Sequence, residues 1–324
     1  MPTSQKSTLQ TKFKSQDILS LDQFDTQSLY HLFKHTKHLQ VFTEKGKALD
    51  ILKGSIATLI FYEPSSRTFG SFSSAIKRLG GQTIEFQNPS SSSSVAKGET
   101  LEDTIRTLEA YSDVIIIRHP EKGAAEKAAS AAFSVPVINA GDGVGEHPTQ
   151  ALLDMYTIYE KFGRLDDLTI LFAGDMLNGR TVHSLLRGLS LFKNNTIYLL
   201  SPKTLKLSSQ DKEMFIKKGL HLNEIHTTDE MPGDADVWYW TRVQKERFNN
   251  LKDYEKVKNS FIVTPALMQQ KANKKMILMH PLPRVGEIET SVDSDKRAVY
   301  FSSQIKNGMY LRMALISLVL GKLK

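Results

Sequence analysis

The sequence predicts an α/β protein of two doubly wound domains, each a parallel sheet flanked by helices, with the active site in the cleft between them. Three observations predict it. Short continuous apolar runs, typical of strands covered on both faces, alternate with stretches whose apolar residues fall three or four apart. The alternation runs from residue 56 to residue 138 and restarts at residue 168. The chain has 324 residues, enough for two domains of ordinary size. The expected division is 1–148 and 149–304, with a C-terminal helix over 305–324 packing back on the first domain.

Residues 18–40 read as a helix, with Leu21, Phe24, Leu29, Leu32 and Phe33 as its apolar residues. The run 56–61 is a strand. It turns through Glu63-Pro64 into Ser65-Ser66-Arg67-Thr68, and Phe69, Phe72, Ile76 and Leu79 then fall at helical spacing up to Gly80-Gly81. Three hydroxyls and a guanidinium therefore sit where a strand hands over to a helix, beside unpaired N–H groups and the positive end of a helix dipole. This is a site for phosphate or another small anion, and equally an ordinary N-cap with Arg67 on the surface.

Residues 82–87 form the next strand. Pro89 and the serine run 90–94 read as a loop leading to Lys97, a movable cation or a plain surface lysine. A helix over 101–111 carries Glu102 and Asp103 in its first turn, as the dipole prefers. The run 114–117 is a buried strand with Arg118-His119-Pro120 at its C-terminal end. An alanine-rich helix covers 124–132. The strand 135–138 ends in a glycine-rich turn, NAGDGVGEHPTQ, which opens a helix over 151–162. His147 stands just before that helix, as a site residue or a simple cap, and Gln150 lies in its first turn.

In the second half, the strand 168–172 leads through Gly174-Asp175 to Asn178-Gly179-Arg180-Thr181, which opens a helix. The G-x-G-x-x-G spacing is absent, which argues against a nicotinamide or flavin site. Further strands are expected at 196–200, 236–240, 261–263 and 276–279. The third-named runs into no site motif, whereas the second ends in Thr241-Arg242-Val243-Gln244 and the last in His280-Pro281-Leu282-Pro283-Arg284. Residues 309–323 are an apolar helix. Arginines, histidines and hydroxyls thus recur at strand C-termini, where ligands of open α/β sheets collect. If the halves face one another, these ends meet in one cleft suited to phosphate and carboxylates, which arginine binds in bidentate fashion.

Composition narrows the classes. At 40% hydrophobic and 24% charged residues, it is that of a soluble globular protein. With no cysteine, the chain has no disulfide, thiolate zinc site or cysteine nucleophile. No apolar run reaches membrane-spanning length. The net charge of +7 is dispersed. The basic patches at 212–218 and 271–275 read as solvated helix faces, without the aromatics of a nucleic-acid module. A basic balance also steers anionic substrates. The first sixteen residues hold no acidic side chain and no hydrophobic core; they read as a frayed tail, with an organelle-targeting segment as the alternative. The expectations are a cytoplasmic protein with no nucleic-acid partner, no membrane partner, no metal and no cofactor.

The motifs FYEPSSRT, SSVAKGET, IIIRHP, NAGDGVGEHPTQALLD, GRTVHSL, TRVQKERF, MHPLPR and YFSSQIKNGMYLRMAL together resemble the aspartate carbamoyltransferase family, catalytic chain. The sister ornithine family normally carries Cys-Leu-Pro where this chain has His280-Pro281-Leu282-Pro283. The resemblance implies transfer of the carbamoyl group of carbamoyl phosphate to L-aspartate, an early step of pyrimidine synthesis. It makes 1–148 the carbamoyl phosphate domain and 149–304 the aspartate domain. Ser65, Ser66, Arg67 and Thr68 would hold the phosphate, and Arg118 the phosphate and the carbonyl oxygen. Thr68 and His147 would also donate to that oxygen, His147 as a neutral ring favoured by the surrounding arginines. Gln150 and the backbone carbonyls of Pro281 and Leu282 would orient the carbamoyl NH2. Arg180, Thr181, Arg242, Gln244 and Leu282 would take the aspartate, and Lys97 would reach both substrates.

The resemblance further implies a homotrimer in which Ser93 and Lys97 complete a neighbour's site. A separate regulatory chain, or other pyrimidine enzymes, would be possible partners. The chain departs from the family at Asp175-Met176-Leu177-Asn178, where a lysine is commoner, and at Phe69, often an arginine. Two rival readings are an inactive scaffold homologue and an enzyme for another amino acid.

Overall fold

The structure, a computed structural model, describes residues 12–92, 94–143, 145–243, 248, 250–258 and 260–323. It divides into two compact units: the chain up to Leu153 together with the segment from Lys306 onward, and Asp154–Ile305.

In the first unit, strands β1 (Ile56–Phe61), β2 (Gln82–Gln87), β3 (Val114–His119) and β4 (Val137–Asp142) make a parallel sheet in the order β2-β1-β3-β4. Its helices are α1 (Thr26–Glu44), α2 (Ser66–Arg78), α3 (Leu101–Glu109) and α4 (Ala124–Ala131). Ile60, Ile115, Ile117 and Val137 pack with Ile105 and Leu108 of α3 and Ala125, Ala128 and Ala131 of α4. Cover on both faces is why β1 and β3 read as apolar runs. Helix α5 (Pro148–Phe162) contains the point of division.

The second unit holds β5 (Thr169–Ala173), β6 (Thr196–Leu200), β7 (His221–Ile225), β8 (Val237–Trp240) and β9 (Ile277–Met279), all parallel, in the order β7-β6-β5-β8-β9. Its helices are α6 (Arg180–Leu189), α7 (Ser209–Lys217), α8 (Leu251–Val257) and α9 (Pro265–Lys271). Leu171, Leu200, Trp238, Trp240 and Leu278 anchor one core. The last helix, α10 (Ile305–Val319), is buried almost throughout, and the Ser15 N–H donates to Val319 O at 2.8 Å.

Both sheets reverse direction once. The first reverses between β1 and β3, the second between β5 and β8. At such a switch point the connections leave to opposite sides, and the strand C-termini open a crevice where ligands bind.

Several elements differ from expectation. The first helix begins at Thr26, not residue 18, because Asp25 and Ser28 form a reciprocal capping box. Before it, Leu21–Gln23 is a separate short turn with its own box from Ser20. Strand β4 takes in Asn139–Asp142, expected as turn, because Ile18 pairs beside it and accepts from the Asn139 N–H at 2.8 Å. The serine stretch is not open loop: Pro89–Ser92 is one helical turn, and Ser94–Lys97 a 3-10 turn. Strand β7 was not expected, since its sequence, HLNEI, with two of its five residues exposed, lacks a continuous apolar run. Residues 261–263 are apolar but not a strand; Val263 makes a single bridge to Ile288, and Phe261 and Val263 pack into the core instead. The patch 271–275 is not a helix face, for α9 stops at Lys271 and Asn273 Oδ1 accepts from the N–H groups of Lys275 and Met276.

Candidate functional site

At the first switch point, the Tyr62 N–H donates to Arg118 O at 2.8 Å, holding β1 and β3 together one residue beyond β1. The chain then enters α2 with Ser65 as N-cap, but the Ser65 side chain makes no cap hydrogen bond, and the first turn has no acidic residue. The ordinary-cap reading therefore lacks its defining bond. Ser66 and Arg67 are exposed at the helix start, Ser65 is partly buried, and Thr68 is buried.

Arg118 is only 8% exposed. Its Nη1 donates to Ala140 O at 3.2 Å, and its Nη2 lies 3.0 Å from Glu63 Oε2. A glycine at 141 makes this possible. Gly141 has φ +121°, and a Cβ there would lie 2.8 Å from Arg118 Nη1 and 3.5 Å from His147 Cδ2. One backbone position thus brings the guanidinium and the imidazole together. The turn to His147 is braced by Asp142, which accepts from the N–H groups of Gly123 at 3.0 Å and Glu146 at 2.7 Å. Glu146 in turn accepts from the Ser20 hydroxyl at 2.8 Å and the Leu21 N–H at 3.0 Å. His147 is 5% exposed at the start of α5, and the Gln150 N–H donates to its carbonyl at 3.0 Å. From α10, buried Arg312 donates to Ser71 Oγ of α2 at 2.9 Å and to Thr149 Oγ1 of α5 at 3.2 Å. It ties together the two helices whose first turns carry Thr68 and Gln150.

The second switch point is built on another glycine. Gly174, φ +121°, lies so close to the Thr241 carbonyl that any Cβ would clash with it. Thr241 donates to Ala173 O through its N–H at 2.8 Å and its hydroxyl at 3.1 Å. Asp175 is fully buried, accepts from the Asn178 N–H at 2.9 Å, and is pushed above the usual carboxylate range by burial. That turn delivers Arg180 and Thr181 to the N-terminus of α6, while Arg242 follows Thr241 beyond β8; all three are partly buried. Leu177, in the place of the commoner lysine, is 41% exposed.

At the end of β9 the His280 N–H donates to Gln304 Oε1 at 3.0 Å, Gln304 Nε2 to Asp154 Oδ1 at 2.7 Å, and Tyr239 Oη to Asp154 Oδ2 at 2.8 Å. Burial and the neighbouring Asp154 push the Tyr239 hydroxyl far up, so it stays protonated and donates. This buried chain fixes the start of the Pro281-Leu282 loop.

The first unit therefore carries Ser65, Ser66, Arg67, Thr68, Arg118, His147 and Gln150 at or near one switch point. The second carries Arg180, Thr181 and Arg242 at the other, with Pro281 and Leu282 after β9. Lys97 is exposed on its 3-10 turn. Ser93 and Gln244 lie outside the described residues. Sequence reasoning missed Glu63, Asp142, Asp154, Arg312 and the ring of His280 as supports. Glu63, Asp142, Asp154 and Arg312 lie inside recognisable motifs, but nothing local marks Asp154 as a partner of Gln304, 150 residues away. Among the described residues, no group of three or more His, Asp or Glu side chains is arranged to hold a metal ion. Nor is any helix among them long and apolar enough to cross a membrane.

Two family models match: the aspartate/ornithine carbamoyltransferase carbamoyl-P binding domain over residues 16–160, and the Asp/Orn binding domain over 166–319. The chain is 47% identical over 310 residues to the chloroplastic aspartate carbamoyltransferase of Arabidopsis thaliana, covering 95% of this chain and 79% of that one. It is also 47% identical to the multifunctional protein CAD of Squalus acanthias, covering 96% of this chain but only 14% of that protein. Among solved structures, the catalytic subunit of M. Jannaschii aspartate transcarbamoylase aligns with a TM-score of 0.87 at 43% identity, covering 93% of this chain and 97% of that one. The Trypanosoma cruzi aspartate transcarbamoylase in complex with carbamoyl phosphate and aspartate gives 0.87 at 42%, covering 95% and 98%.

Proposed function

The chain belongs to the aspartate/ornithine carbamoyltransferase family, and we infer that it transfers the carbamoyl group of carbamoyl phosphate to the amine of L-aspartate. The products are N-carbamoyl-L-aspartate and phosphate, and the reaction serves pyrimidine biosynthesis. The observation that carries this reading is the meeting of Arg118 and His147 around Gly141 in the unit that opens α2 with an unbonded Ser65 cap. Phosphate sits at the α2 N-terminus on Ser65, Ser66, Arg67 and Thr68. Arg118, Thr68 and His147 face the carbonyl oxygen and stabilise its charge as the tetrahedral intermediate forms; one such donor is typically worth about 3 kcal/mol of barrier. Gln150 and the carbonyls of Pro281 and Leu282 orient the NH2 group.

The aspartate amine attacks the carbonyl carbon. A C–N bond forms, the C–O bond to phosphate breaks, and the departing phosphate takes the amine proton. No side chain is a nucleophile, so catalysis is positioning plus electrostatics. Arg180, Arg242, Thr181, Gln244 and Lys97 take the two carboxylates. A set rich in cations selects aspartate over ornithine, whose side chain brings a positive charge instead of a second carboxylate.

A colorimetric carbamoyl-aspartate assay with L-aspartate and L-ornithine as competing amines tests the reading. Product from aspartate alone supports it; product from ornithine, or none, refutes it.

We also propose a cytoplasmic homotrimer with Ser93 and Lys97 donated to a neighbour's site. Exposure of Lys97 supports the sharing. Mixed trimers of inactive Arg67→Ala and inactive Lys97→Ala chains should recover part of the activity, and no recovery in verified mixtures would refute a shared site.

A further inference from the structure

His280 is 2% exposed and makes two ring hydrogen bonds of opposite sense. The Leu282 N–H donates to Nδ1 at 2.8 Å. A backbone N–H has only a proton to offer, so Nδ1 carries none. The other nitrogen, Nε2, lies 2.6 Å from Glu287 Oε1 and must be the protonated one. Glu287 Oε2 also accepts from the Val285 N–H at 3.0 Å. Imidazole and carboxylate together therefore bracket residues 282–285 from inside.

The bracketed backbone needs holding. Leu282 has φ +56°, a left-handed conformation that a γ-branched residue adopts only when its surroundings impose it. The Leu282 N–H is satisfied by the ring, and the start of the loop is fixed separately by the bond of the His280 N–H to Gln304.

We propose that His280 is a positioning residue: its neutral, Nε2-protonated ring, clamped between Glu287 and the Leu282 N–H, sets the backbone that aims the Pro281 and Leu282 carbonyls at the carbamoyl NH2. The inference rests on the carbamoyl-transfer reading above. Burial keeps the ring neutral and lowers its proton affinity. Glu287 works against this, while Arg284 and Arg242 work with it. A second proton on the ring would remove the acceptor at Nδ1 and release Leu282.

Two substitutions, each matching one ring nitrogen, separate this from simple core packing. His280→Asn places an oxygen near the Nδ1 position and keeps the acceptor for Leu282. His280→Gln reaches the Nε2 position, keeps a donor to Glu287, and loses that acceptor. With both proteins shown folded by thermal melts, His280→Asn should keep kcat/KM for carbamoyl phosphate within about 3-fold, while His280→Gln loses about 10-fold or more, as for a buried donor left unsatisfied. Equal losses, or a better Gln variant, would overturn the proposal. The unsubstituted protein gives a test free of folding risk. Nitrogen-15 and ring-carbon chemical shifts of His280 at neutral pH should report the Nε2–H tautomer, and an Nδ1–H or cationic ring would overturn the clamp. If the unsubstituted enzyme transfers no carbamoyl group, the parent reading fails instead, and the tautomer still decides whether the clamp exists.

Discussion

The two switch points hold their cations differently. At β1/β3, Arg118 is 8% exposed, with its guanidinium set by the Ala140 carbonyl and Glu63, and its neighbour His147 is buried too. At β5/β8, Arg180 and Arg242 are only partly buried. A site that must stabilise charge appearing on one oxygen gains from donors fixed in advance. A site that recognises two carboxylates needs charge and reach, and tolerates more freedom. On the proposed function, the first region would hold carbamoyl phosphate and stabilise its transition state, and the second would bind the amine substrate.

The sharpest way to break this distinction is steady-state kinetics on one arginine from each region. Arg118→Ala should lower kcat about 1,000-fold, in the range for loss of a strong oxyanion donor. Arg242→Ala should lose about 100-fold in kcat/KM for aspartate, as expected when one partner of a charge-assisted pair is removed. Similar kcat losses with unchanged aspartate KM would erase the contrast.

The paired glycines sharpen it further. Gly174→Ala drives a methyl group into the Thr241 backbone. It should destabilise the protein by about 3 kcal/mol or more in denaturant melts, since neither backbone can yield and φ is already unfavourable. Gly141→Ala meets the end of a side chain, Arg118 Nη1. Its stability cost should be about 1–3 kcal/mol, from the positive φ. Its activity should fall more than its stability implies, because the displaced atom belongs to the site. Activity retained in a folded Gly141→Ala protein would mean that Arg118 is not held for catalysis.

The smallest effect lies outside both regions and serves as a control. Burial, then the positive neighbours His31, Lys34 and His38, lowers the His35 pKa on α1 to about 4, below its ordinary 6.5. The folded state therefore binds fewer protons here than the unfolded state between those values. Its stabilising contribution is complete above pH 6.5 and is lost as pH falls toward about 4. His35→Gln should flatten the stability profile over that window without altering the transferase pH profile. An unchanged stability profile would contradict the assignment.

How much of this was legible depended on the physics of each element. Strands β1 and β3 were readable because both faces are covered, as adjacent Ile115 and Ile116, on opposite faces, show with 0% exposure each. Strand β7 was not, because its sequence, HLNEI, carries no continuous apolar run. Residue types at strand ends pointed to the site, whereas strand order, which turns those ends into two switch points, follows from pairing between distant segments and leaves no local mark. Ser65 shows the limit at one residue: the sequence left a cap and an anion site equally open there, and only the geometry shows Ser65 as an N-cap whose hydroxyl makes no cap bond. The Tyr239–Asp154–Gln304 chain joins residues that are far apart in sequence and was invisible for the same reason.

The division of labour between the two regions is tested most directly by calorimetric binding of carbamoyl phosphate to folded Arg118→Ala and Arg242→Ala proteins. Binding should weaken about 100-fold or more in Arg118→Ala, the loss expected for a buried charged donor. In Arg242→Ala it should stay within about 3-fold of the unsubstituted protein, a change no larger than a surface substitution makes. Equal weakening in both, or intact binding in Arg118→Ala, would contradict it.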